Sequence, residues 1–143
     1  YCENSIVNAI FTIKITAMES EGIETEYQCS IPEQIGIELI DLCSLFTNLL
    51  DNAREACEKV KGQIPWVKVK AGVRGGYLTI KIENICNEIS EGQNDQMLTS
   101  KQDKVNHGFG LKLVRQIVDK YEGTMQMMIK DHTFQIVATI RMN

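Results

Sequence analysis

Positive charge is in short supply. Lys and Arg number 15 against 19 Asp and Glu, a formal net charge of −4. That balance excludes nucleic acid as a partner, because a phosphate backbone is held by clustered Lys and Arg. It does not exclude a nucleotide, whose phosphates are held equally well by backbone N–H groups and a metal ion. Long apolar runs are also missing. None approaches the about 18 residues that cross a bilayer, and no signal peptide leads the chain, so this segment is not expected to span a membrane. The five cysteines (Cys2, Cys29, Cys43, Cys57 and Cys86) are odd in number and none pairs in C-x-x-C spacing. A zinc site is therefore not expected. The pattern reads as a reduced, cytoplasmic chain in which each cysteine serves as a small buried hydrophobe. Histidine occurs only as His107 and His132. Repeats, linkers and low-complexity tracts are missing too. The 143 residues, 43% of them hydrophobic, suit one domain. The chain opens at Tyr1 without Met, which reads as a single domain, residues 1–143, of a larger protein.

What is present has a regular order. Residues 3–20 predict a helix, with Ile6, Ala9, Ile10, Ile13 and Ala17 as its apolar stripe and Gly22 as its stop. Residues 23–29 alternate as a half-buried strand, and Pro32 and Gly36 mark a loop. Residues 37–59 predict a longer helix. Two strands follow, 66–73 and 77–83, joined by Gly75-Gly76 as a two-residue turn. Residues 86–106 are polar and without period, a length expected of a functional lid. A third helix runs from Gly110 to about Lys120, ended by Gly123. Strands 124–130 and 133–141 close the chain around Asp131-His132. This order implies a two-layer α+β sandwich, with three helices on one face of a mixed, mainly antiparallel sheet.

Two constellations carry chemistry. On the second helix, Asn48, Asp51, Asn52 and Glu55 are spaced i, i+3, i+4, i+7, one polar stripe on a helix apolar over most of its surface. Such a stripe faces either solvent or a ligand. Asn gains nothing from helix propensity, and neutral amide oxygens are sound ligands for a hard cation that carries phosphates. The second constellation is His107-Gly108-Phe109-Gly110-Leu111 at the start of the third helix, where glycines let phosphate approach free N–H groups and the positive end of the dipole. Taken alone, a glycine hinge explains it as well.

Together the two match a known pattern. Asn48-x-x-Asp51-Asn52-Ala53 resembles the N box of the Bergerat-fold ATPases, which include gyrase, MutL and the histidine kinases, and Gly108-x-Gly110-Leu111 resembles their second glycine box. The match is closest to the histidine kinase branch of peptide quorum-sensing receptors, whose members show a similar lead-in, an N-L-x-x-N-A box, an Asn ending the strand before the lid, an H-G-x-G-L box, and an end like Lys120-Tyr121-Glu122-Gly123. The resemblance implies the ATP-binding catalytic domain of a two-component sensor histidine kinase, an ATP:protein-histidine phosphotransferase of the Bergerat fold. ATP and Mg²⁺ would be its cofactors, and its site residues would be Asn48, Asn52, Glu55, Asn84, Lys101, His107, Gly108, Phe109, Gly110 and Leu111. Asn52 would ligate the metal, with Asn48 assisting. Hydrolysing relatives carry a Glu base at the place of Asn48, and an amide cannot take a proton from water, which favours transfer to a protein side chain.

The departures matter too. The D-x-G-x-G box that reads adenine is replaced by Asn84-Ile85-Cys86-Asn87-Glu88. Asn84 accepts without the charge of a carboxylate, so affinity is expected to be weakened towards the high-micromolar range, each ~1.4 kcal/mol being tenfold. Glu55 stands where many histidine kinases have Lys, and is expected to turn aside or pair with Arg54 or a lid cation. Neither histidine lies on a long helix. The phosphoacceptor and dimerisation domain is therefore expected upstream of Tyr1, with a response regulator downstream, and the isolated fragment is expected not to autophosphorylate. The competing readings are an anti-sigma-type serine kinase and a degenerate domain kept only for interaction.

Overall fold

The computed structural model describes residues 1–87, 96–97 and 108–142. Its elements run α1 (Ser5–Ser20), β1 (Glu24–Ser30), α2 (Leu39–Glu58), β2 (Trp66–Arg74), β3 (Tyr77–Ile85), β4 (Gln96–Met97), α3 (Gly108–Lys120), β5 (Thr124–Lys130) and β6 (Thr133–Arg141). The strands form one sheet in the order β1-β2-β3-β6-β5-β4. β1 pairs parallel to β2 and every other pairing is antiparallel, so the sheet is mixed with three helices packed on it, as expected. The two-residue strand β4 falls in the stretch expected to be a lid. The rest of that stretch beyond Asn87 lies outside the described residues.

Local chemistry sets the boundaries. The Asn4 side chain accepts from the N–H groups of Ile6 and Val7, both at 3.1 Å, and so caps two of the orphan donors that begin α1. Gly22, at φ 82°, takes the left-handed turn that ends it. Both hairpin turns have positive φ at their two central residues, Gly75 and Gly76 (58° and 83°) and Asp131 and His132 (50° and 63°), the geometry that matches strand twist.

The core lies between the helices and the inner faces of β3 and β6. Leu78, Ile80 and Ile82 of β3 and Phe134, Ile136, Ala138 and Ile140 of β6 meet Leu42, Leu45, Phe46, Leu49 and Leu50 of α2. Phe11 of α1 packs edge-on against Phe46, ring centroids 5.7 Å apart. The stripe expected on α1 is corrected here. Its buried residues are Val7, Ile10, Phe11, Ile15 and Met18, while Ile13 is 66% exposed. Turning the helix towards Phe11 and Met18 buries two large side chains in place of Ala9 and Ala17, which is the greater apolar gain. β1 is also wetter than a half-buried strand: Ile23 is buried just before it, and within it only Thr25 and Cys29 are partly covered. As an edge strand it has a neighbour on one side only.

α3 runs antiparallel to α2, held at its end by the Lys120-Tyr121 pair. The Tyr121 hydroxyl donates to Asp41 Oδ2 at 2.7 Å and accepts from the Glu38 N–H at 3.0 Å. Lys120 Nζ reaches Glu38 Oε1 and Asp41 Oδ2, each at 2.8 Å. These bonds from Lys120 and Tyr121 hold the Asp41 carboxyl below the ordinary carboxylate range. A lowered folded-state pKa gives stability that is present at neutral pH and lost as pH falls through that value. Asp41→Asn is therefore expected to melt earlier than the parent at pH 7, with the gap narrowing as the pH falls below the ordinary carboxylate range, in paired thermal melts.

Candidate functional site

The N-box helix and the glycine turn meet. A Cβ built on Gly110 would lie 3.0 Å from Asn48 Oδ1 and 3.7 Å from Asn48 Cβ, so the first turn of α3 rests on the Asn48 side chain with only a glycine between. The amide's orientation is fixed by its other end. Nδ2 of Asn48 donates to the Ser44 carbonyl at 2.7 Å and sits 3.3 Å from Ser44 Oγ. That leaves the oxygen facing α3.

Asn52 follows one turn later on the same half-exposed strip of α2. Further along, the Lys59 carbonyl accepts from Asn87 Nδ2 at 2.9 Å, tying the end of α2 to the exit of β3. Asn52 thus sits on α2 between the contact with α3 and the tie to β3. The other two residues of the expected stripe fare differently. Asp51 turns to α1 and pairs with Lys14 Nζ at 2.9 Å. Glu55 is exposed. Arg54 does not pair with it but with Glu21, its Nε donating to Oε1 at 2.9 Å and its Nη2 to Oε2. That pairing holds the Glu21 carboxyl below its ordinary range.

Asn84 ends the core-facing row of β3, in step with Leu78, Ile80 and Ile82. It is fully buried. Its Nδ2 donates to the Ile85 carbonyl at 2.8 Å, and its Oδ1 is buried with no hydrogen-bond partner among the described residues. An orphaned buried acceptor costs about 1–3 kcal/mol, which a domain tolerates where a ligand completes it.

The surroundings of Asn84 were not foreseen from the residues. The Cys86 N–H donates to the His132 carbonyl at 2.8 Å, and His132 Nδ1 lies 3.3 Å from the Cys86 carbonyl. His132 therefore anchors the chain just past Asn84 to the β5–β6 turn. Backbone partners of this kind leave no side-chain pattern to find.

Gly108, Phe109, Gly110 and Leu111 form the first turn of α3, whose N–H groups have no partner within the helix. Leu111 is buried and roots that turn in the core. Lys101 and His107 lie outside the described residues.

The sequence profile of the GHKL domain family matches residues 37–141. This chain belongs to that family, whose ATPase domains bind ATP, usually with Mg²⁺. Its fold is similar to that of the catalytic domain of histidine kinase ThkA, at TM-score 0.70 and 15% identity over 95% of this chain and 90% of that one. It is likewise similar to the Acinetobacter baumannii histidine kinase AdeS, at TM-score 0.70 and 17% identity over 97% of this chain and 64% of that one. A third is the mycobacterial sensor histidine kinase MprB, at TM-score 0.66 and 16% identity over 96% and 94%. No curated protein matches the sequence. Among the described residues, no helix is long and apolar enough to cross a membrane.

Proposed function

We propose that this chain is the ATP-binding catalytic domain of a two-component sensor histidine kinase, nearest by its motifs to the peptide quorum-sensing receptors. It passes the γ-phosphoryl group of ATP to a histidine on a separate dimerisation and acceptor domain. The observation that carries this reading is the approach of Asn48 Oδ1 to Gly110, which puts an amide oxygen beside the first turn of α3.

The residues suit a magnesium nucleotide. Asn48 and Asn52 offer hard, neutral oxygens, with the Asn48 oxygen turned towards Gly110 because its Nδ2 bonds the Ser44 carbonyl. Bound there, the metal supplies charge neutralisation for the phosphoryl oxygens. The first turn of α3 receives phosphate on its N–H groups. Asn84 Oδ1 accepts from an exocyclic base amine such as that of adenine, which satisfies the orphan. Lys101 and His107 are further candidates to meet phosphate, and Glu55 stands exposed on α2 three residues beyond Asn52. Nothing at Asn48 removes a proton from water, so positioning of the phosphoryl group is the contribution of this domain, and the acceptor side chain comes from elsewhere.

Two results test the reading. Mixed with a separately made acceptor-helix pair and Mg·ATP, the domain is expected to yield phosphate that is acid-labile and base-stable on histidine. Acid-stable phosphate on serine, or none, would count against it. Asn84→Ala is expected to stay folded with a modest drop in melting temperature, because relief of the unmet acceptor offsets part of the cost of the lost Nδ2 bond to the Ile85 carbonyl and of the space left behind. The same change should weaken ATP binding about tenfold or more in calorimetry. Unchanged affinity would remove Asn84 from the site.

A further inference from the structure

The Sγ atoms of Cys2 and Cys29 lie 2.8 Å apart. The two residues are far apart in sequence, and the segments that carry them are held together by other bonds. The Cys2 N–H donates to Asn8 Oδ1 at 3.0 Å. The Tyr1 ring packs edge-on against Tyr27 of β1, centroids 4.9 Å apart. Asn4 Nδ2 donates to the Pro32 carbonyl at 3.0 Å, just past the end of β1. The thiols are thus brought together by a framework that does not depend on them. This corrects the expectation that each cysteine is only a small buried hydrophobe: Cys2 and Cys29 are half-buried and side by side, and Cys43 is exposed.

We propose that Cys2 and Cys29 are a dithiol site that closes to a disulfide by exchange with a low-molecular-weight disulfide, locking the lead into α1 onto the edge strand β1. The Cys2 thiolate attacks one sulfur of the small disulfide, forming a mixed disulfide and releasing the first small thiol. Cys29 then gives up its proton and attacks Cys2 Sγ, releasing the second. Two protein thiols are oxidised, one small disulfide is reduced to two thiols, and no other reactant is needed. Burial and the neighbouring Cys2 thiol hold the Cys29 thiol well above its ordinary pKa, which assigns it the second, intramolecular step. The bond ties residue 2 to residue 29, a loop long enough for cross-linking to restrict the unfolded chain appreciably.

The test uses the full chain with the exposed thiol removed (Cys43→Ser), incubated with oxidised glutathione. The expected product has lost the mass of two hydrogens and carries no glutathione. In it the peptide bearing Cys2 is joined to that bearing Cys29, and the melting temperature is higher by about 5–10 °C. The same chain with Cys29→Ser is expected to retain one glutathione on Cys2. The proposal is overturned if the parent keeps both thiols free, if it holds glutathione on Cys2 without closing, or if the joined peptides involve Cys57 or Cys86.

Discussion

Replacing Gly123 with alanine is expected to destabilise the domain by about 3 kcal/mol or more, lowering its melting temperature by about 10 °C or more. A Cβ at this position would lie 2.0 Å from the Thr139 carbonyl oxygen, 2.9 Å from Ile140 Cα and 3.0 Å from the Thr139 carbonyl carbon. All three are backbone atoms of β6, a strand paired on both sides. No side chain is free to swing away, so either β6 or the α3–β5 junction must move. That junction is tightly tied. Glu122 takes φ 55°, and the Gly123 N–H donates to the Val118 carbonyl at 2.8 Å, closing the end of α3. The control is Gly62→Ala. Gly62 sits at φ 80° with nothing within 4 Å of its added Cβ, so that change brings backbone strain alone, about 1 kcal/mol. If the two variants melt together, the close approach at Gly123 has no energetic weight.

This approach also shows what a sequence can and cannot carry. Gly123 was legible as a helix stop, yet the reason only glycine fits is the carbonyl of Thr139 in β6, and no local pattern encodes that contact. Lys120-Tyr121 was visible only as part of a resemblance. Its task, gripping Glu38 and Asp41 at the start of α2, joins residues about eighty positions apart. The order of the helices and main strands and both hairpin turns followed directly from period and turn chemistry, because burial on one face enforces them. The stripe of α1 did not, because spacing alone ranks Ala9 and Ile13 with Phe11 and Met18, whereas buried area does not.

In the candidate site, the amide pair of α2 and the glycine turn were legible as types and spacings. Their contact was not, nor was the departure of Asp51 towards Lys14 and of Arg54 towards Glu21, since both partners lie in other elements. The burial of Asn84 could be read from parity: it falls in step with Leu78, Ile80 and Ile82. Its unpartnered oxygen could not, because that depends on what the neighbouring backbone does not offer.

The largest functional effect is expected at Asn52. It is half-exposed and no packing of the core rests on it, so Asn52→Ala removes an oxygen from the polar strip of α2 while Ala53 and Leu49 stay buried beside it. Alanine is also the better helix former, so the melting temperature should hold or rise slightly. Binding should not survive. On the proposed reading, loss of the Asn52 oxygen leaves the charge of the ATP phosphates uncompensated, and an affinity loss of about 100-fold, ~2.7 kcal/mol, is the least expected. The decisive measurement is a calorimetric titration of the domain with ATP in the presence and absence of Mg²⁺, repeated on Asn52→Ala. Saturable, magnesium-dependent binding by the parent and none in the same range by a fully folded Asn52→Ala is the predicted result. Equal binding by the two proteins, or binding indifferent to magnesium, would contradict the assignment of α2 and the first turn of α3 as a nucleotide site.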